Sequence, residues 1–202
     1  LLTRERVKQV RAEKFSFSQF ANLFKNKPWI ILTSIGICTN FFNGFRYAVA
    51  AYIFQYCMGG DITVGSLIIN YTVFMAFGEV TCMIFGGVSP KFTAWVGSKR
   101  MAFILSSIVC LVLSVAFFFV PMTPSSIWIM ITLVVLTSVG VGIFSPLLWS
   151  MYADVADYAT ETFGTSSTGL IFSSGTMAQK FGGAVSGSLI ALLLGIAGAT
   201  MI

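Results

Sequence analysis

Three charged residues lie within the long apolar stretches of this chain and an acidic pair stands just past the end of one, and these are the positions where chemistry is sought. Lys180 lies well inside the run 167–197, and Arg46 and Glu79 lie inside the runs 28–57 and 64–88. Asp154 and Asp157 stand three apart just past the end of the run 126–152. A charge within or against a membrane-length segment is costly, so it marks a working site by default.

Lys180 is the deepest of them, roughly 20 Å along a helix from the start of its run. That is too far for its ammonium to reach the nearer surface easily. Its helix face carries Gly169, Ser173, Thr176, Ala184 and Ser188, a stripe that is polar or small throughout. Gly183, Gly187, Ala191 and Gly195 form an adjoining strip at four-residue spacing, a surface against which another helix can pack closely. We expect a functional role for Lys180 and a packing role for the strip.

The first run has a polar stripe of its own, Thr33, Gly36, Asn40, Asn43 and Tyr47, spaced three and four apart on one helix face. An amide in hydrocarbon must find a partner, so Asn40 and Asn43 face a bundle interior or water-filled cavity, or else bond a neighbouring helix. Arg46, in the same run, has three readings: an ion pair with Glu79, a gating or substrate contact, or snorkelling to the surface. Asp154 and Asp157 are neighbours on one face if the helix continues to them. They are read as a latch that holds one conformation, as a cation site, or as solvated charges. Pro146 favours a kink in the fourth run. Trp149 and Tyr152, which follow it, read best as an interfacial belt.

Other chemistry is not encoded. Histidine is missing from the composition, and Cys38, Cys57, Cys82 and Cys110 stand singly in apolar surroundings, as small buried hydrophobes do. No phosphate-binding loop, GxSxG or HExxH occurs. We therefore expect no enzyme, no metal site and no cofactor beyond a coupling cation.

The elements that position these residues follow from composition. Hydrophobic residues make up 56% of the chain and charged residues 9%, against about 25% charged in soluble domains. This is an all-α integral membrane protein. Five apolar runs, at about 28–57, 64–88, 101–120, 126–152 and 167–197, each reach the ~20 residues that a spanning helix needs. They are too long, and lack the alternation, to be strands. Residues 1–27 are basic, with Phe17, Phe20, Leu23 and Phe24 at helical spacing, as in a helix lying on a membrane surface. They carry seven of the basic residues, and Lys91, Lys99 and Arg100 share their side of the membrane. The loops of the other side, around Gly59–Asp61 and Pro121–Ser125, hold no Lys or Arg. The positive-inside rule therefore makes the N-terminal segment cytoplasmic. The net charge of +5 thus reflects topology, not nucleic-acid binding. No leader pattern opens the chain. An odd number of spans and a start at Leu1 lead us to expect a fragment, with a bundle before it and a sixth span after it.

The stretch Pro146–Tyr158, PLLWSMYADVADY, followed by Thr168–Leu189, TGLIFSSGTMAQKFGGAVSGSL, resembles the glycoside–pentoside–hexuronide:cation symporters. These are the melibiose-permease-like branch of the major facilitator superfamily. The segment from Pro90-Lys91 to Gly97-Ser98-Lys99-Arg100 is similar to a degenerate form of the superfamily's basic loop motif. The resemblance covers nearly the whole chain and implies that its runs are helices 7–11 of a twelve-helix fold. It implies that Asp154 and Asp157 belong to a cytoplasmic gate and that Lys180, with Thr176 one turn before it, lines the sugar and cation cavity. Glu161 falls one place off the family pattern and inherits no role. The family's cation-binding carboxylates lie mainly in the first half of the fold, before this segment.

The function expected is cation-coupled symport, with Na⁺ or H⁺, of a sugar or glycoside by alternating access. Asn40 and Asn43 would be further hydrogen-bonding residues of the cavity. The partners are the sugar, the bilayer and the N-terminal bundle of the same protein, and the location is a plasma membrane, the bacterial inner membrane by resemblance. The rival readings are a facilitator for lipids or other amphiphiles, and a non-transporting receptor or scaffold.

Overall fold

The computed structural model describes residues 23–64, 67–163 and 168–196. Of the segment expected to lie on the membrane surface, residues 1–22, with Phe17 and Phe20, fall outside the described residues, while Leu23 is buried in the core and Phe24 is exposed beside Trp29.

Five long helices make the fold: α1 Lys27–Tyr52, α2 Tyr71–Val96, α3 Lys99–Phe118, α4 Ile127–Phe163 and α5 Thr168–Ile196. The last four are long and apolar enough to cross a membrane. In α1, also 26 residues long, Asn40, Asn43 and Arg46 lower the apolarity. Local sequence sets the ends. The Asn26 side chain accepts from the Trp29 N–H at 3.2 Å ahead of α1, and Pro28 occupies its first turn, where no N–H is needed. Gly97, at φ 81°, closes α2 in the left-handed conformation.

Helix α4 is the axis of the bundle. Gly140, Val141, Gly142, Ile143 and Phe144 are all buried, and five consecutive buried residues leave no face of a helix uncovered. α2 and α3 pack on α4, while α1 packs chiefly on α5. Small residues allow the close approaches. A Cβ at Gly142 would lie 2.6 Å from the Cys82 carbonyl of α2, and one at Gly182 would lie 2.6 Å from the Ile37 carbonyl of α1. Polar side chains then join the helices. Ser89 donates to the Ile143 carbonyl at 2.9 Å, and the Trp29 indole donates to Ser174 Oγ at 2.7 Å.

Four expectations are corrected. The second run does not start a helix at 64. Gly59 and Gly60, at φ 73° and 95°, end the π-helical turn Ile53–Cys57, and Ile62–Val64 pairs antiparallel with Leu67–Ile69 as β1 and β2. Ile62 and Ile69 are buried against Phe54 and Phe74, so the apolar residues of this loop cap the bundle and do not cross it. Pro90 is no loop residue, because α2 continues through it to Val96. α4 runs on to Phe163, which puts Asp154, Asp157 and Glu161 on helix, not in a turn. Finally, the strip of α5 that packs is Gly175, Ala178, Gly182 and Ser186. A Cβ at Gly183, Gly187 or Gly195 would meet nothing within 4 Å. Spacings of three or four residues run each strip along one helix face, and only the rotation of α5 against α1 separates them.

Candidate functional site

Lys180 lies 12 residues into α5, hence about 18 Å along a helix whose full length is about 43 Å. Both Lys180 and Thr176 are exposed, on the side of α5 opposite Ala178 and Gly182, which pack. They share a shallow groove with Ser173, Met177 and Phe181. Thr176 donates to the Phe172 carbonyl of its own helix at 3.2 Å. Lys180 has no ion pair or hydrogen bond among the described residues. A flexible ammonium beside two hydroxyl side chains can bind the oxygens of a polyol or an acid.

The two asparagines are placed elsewhere. Asn40 is at the packed side of α5, against Gly182, and its amide donates to the Gly36 carbonyl at 2.7 Å. Asn43 Oδ1 is buried without a hydrogen-bond partner. The structure therefore does not bring Asn40 onto the open face that carries Lys180.

Arg46 and Glu79 do not form the direct ion pair that was one expectation. The guanidinium reaches Ser138 Oγ at 3.5 Å and lies 5.7 Å from the centre of the Phe42 ring. Glu79 instead accepts from the Tyr47 hydroxyl. Tyr47 follows Arg46 in sequence, so a single residue of helical rotation decides which of them meets α2. Arg46 also borders a cavity of about 390 Å³ between α1, α2, α3 and α4, lined mainly by apolar residues such as Phe42, Phe45, Phe74 and Leu111.

At the other end, Asp154 is bound by Lys99 Nζ, at 2.7 Å to each carboxylate oxygen. This is the one ion pair among the described residues. It ties the start of α3 to the end of α4, within the same bundle. Asp157 is exposed and has no such partner. Sequence reasoning missed Lys99, which had been counted only as a loop cation. Its place at the start of the helix that turns back beside α4 was the signal. Trp149 and Tyr152 are not a belt pair. Tyr152 is buried against Gly36 and Gly175, and Trp149 stacks on Phe172 with ring centres 6.4 Å apart.

A bundle of helices long and apolar enough to cross a membrane defines a multi-pass membrane protein. The chain belongs to the family described as MFS/sugar transport protein, whose model matches residues 1–201, as the resemblance in its last two helices implied. It is similar to the glucuronide carrier protein homolog of Escherichia coli strain K12, with 24% identity across 97% of this chain and 41% of that protein. It is similar to an uncharacterized symporter, YjmB, of Bacillus subtilis strain 168, at 24% identity across 95% of this chain and 40% of that one. A putative sulfoquinovose importer of the same E. coli strain is 22% identical across 87% of this chain and 35% of its own length. The chain thus spans less than half the length of these relatives. No solved structure matches it.

Proposed function

We propose that this chain forms part of a secondary active transporter that carries a sugar or glycoside into the cell together with Na⁺ or H⁺. The observation that carries the reading is Lys180, unpaired on the open face of α5 beside Ser173 and Thr176. A bare ammonium at that depth is costly unless a polar ligand or a facing bundle meets it. Membership of a sugar-transport family supports the sugar. The two relatives named for a sugar are named for acidic ones: a glucuronide carries a carboxylate and sulfoquinovose a sulfonate, and both suit a cationic side chain. The transporter works in a bacterial inner membrane with residues 1–27 on the cytoplasmic side. The asymmetry of Lys and Arg supports that orientation.

The carrier alternates by rocking one helical bundle against another around a central site. Lys99 holding Asp154 stiffens the cytoplasmic end of this bundle. Asp157 remains available to a facing bundle, so the gate role belongs to Asp157 first. The test is uptake of a radiolabelled aryl glucuronide and of labelled sulfoquinovose by the full-length protein in vesicles, with and without Na⁺ or pH gradients. Gradient-dependent accumulation of either sugar is expected. Uptake indifferent to every gradient and to the sugar supplied sinks the reading.

A further inference from the structure

Of the seven acidic residues in the chain, Glu79 is the one that lies in the interior of a span. It is eight residues into α2, about 12 Å from the helix end that follows the β-hairpin. Glu5 and Glu13 precede the spans, Asp61 immediately precedes β1, and Asp154, Asp157 and Glu161 occupy the far end of α4. That end projects from the bilayer, since 37 helical residues extend about 55 Å and the hydrocarbon core is about 30 Å thick.

The groups that face this carboxylate are few. From α1 come Tyr47, whose hydroxyl donates to Oε1, and Arg46, which is near enough to act electrostatically but makes no ion pair with it. From α2 itself come Tyr71 and Cys82. Tyr71 donates to the Tyr47 carbonyl at 3.4 Å. Ser138 of α4 meets the Arg46 guanidinium at 3.5 Å. The second oxygen of Glu79 has no partner among the described residues, and the side chain is exposed.

We infer that Glu79 with Tyr47 is a proton-binding site of the transport cycle, and that the cation coupled through this bundle is H⁺. This rests on the transport reading given above. A hard metal cation takes about six oxygen ligands, and among the described residues no cluster of three or more carboxylate or thiol side chains surrounds Glu79, whose hydrogen-bond partner is the Tyr47 hydroxyl. A proton needs a single carboxylate oxygen and leaves a neutral acid. The step is simple: one H⁺ from the medium adds to the open oxygen, no bond breaks, and the negative charge beside Arg46 disappears. Tyr47 loses its charged acceptor, and Arg46 loses the carboxylate charge that acts on it. The polar contacts between α1 and α2 at this level therefore differ between the two protonation states, as coupling requires.

The experiment uses the full-length protein in proteoliposomes with a radiolabelled aryl glucuronide as probe. Two quantities are read: accumulation driven by a pH gradient, and sugar exchange at equal pH. Glu79→Gln is expected to lower the ratio of accumulation to exchange at least tenfold. Tyr47→Phe, which removes the donor but no charge, is expected to move the pH at which accumulation is half-maximal. An unchanged ratio in Glu79→Gln overturns the inference, as does an unmoved midpoint in Tyr47→Phe should the first variant fail to insert. Wild-type accumulation that follows Na⁺ and ignores the pH gradient overturns it while leaving sugar symport intact. Wild-type protein that neither accumulates nor exchanges the probe overturns both.

Discussion

At the scale of single residues, the buried polar contacts carry more weight than the exposed charges. Trp29 is buried and its indole N–H has one acceptor, Ser174 Oγ, at 2.7 Å. Ser174 in turn donates to the Ile171 carbonyl at 2.6 Å. Ser174→Ala removes the acceptor and strands the indole donor, which costs about 1–3 kcal/mol. We expect a lower midpoint of thermal unfolding in detergent for that variant; an unchanged midpoint would show that the bond contributes nothing to the α1–α5 contact. The Lys99–Asp154 pair is as short, at 2.7 Å, but half-exposed, with 42% and 55% of the two side chains accessible. Pairs of that kind contribute about 0–1 kcal/mol to stability, so its meaning lies in which bundle holds Asp154.

Among the elements, α1 and α5 show what decides a helix interface in a membrane. Lipid chains are as apolar as leucine, so hydrophobicity alone does not select a face. Close contact does, and it runs through Gly182, where an added Cβ would meet the Ile37 carbonyl at 2.6 Å and the Phe41 N–H at 2.8 Å. Backbone atoms cannot swing aside as a side chain does. Gly182→Val should therefore push the helices apart at a cost of about 1–3 kcal/mol. Gly187→Ala, whose Cβ meets nothing within 4 Å, should unfold at nearly the wild-type temperature. Equal losses in the two variants would mean that both strips are packed in the full-length protein. Both strips consist of small residues three or four apart, and nothing local in the sequence marks one as buried. The end of α2 at Val96 was obscured for a related reason: Pro90 reads as a stop, yet α2 accommodates it and ends at Gly97.

For the whole molecule, the question is what meets the open face of α5. On the proposed function, Lys180→Ala in the full-length protein is expected to abolish gradient-driven sugar uptake while leaving membrane insertion intact, measured by uptake alongside the amount of protein recovered from membranes. Wild-type uptake in that variant would remove Lys180 from the site. The sequence by itself determined that the chain spans a membrane and where its long apolar runs and the charges within them lie, while the structure moved the start of the second helix to Tyr71 and carried the fourth on to Phe163. Hydropathy and run length are local quantities, summed over about 20 neighbouring residues, and they survive without knowledge of the fold. The tertiary structure alone decided the rotation of each helix about its axis. That rotation brings Tyr47, not Arg46, to Glu79, binds Asp154 to Lys99, and leaves Lys180 outward with Asn40 inward. It is fixed by contacts between residues as far apart as Trp29 and Ser174, 145 positions along the chain, and such pairings leave no periodic trace in either segment.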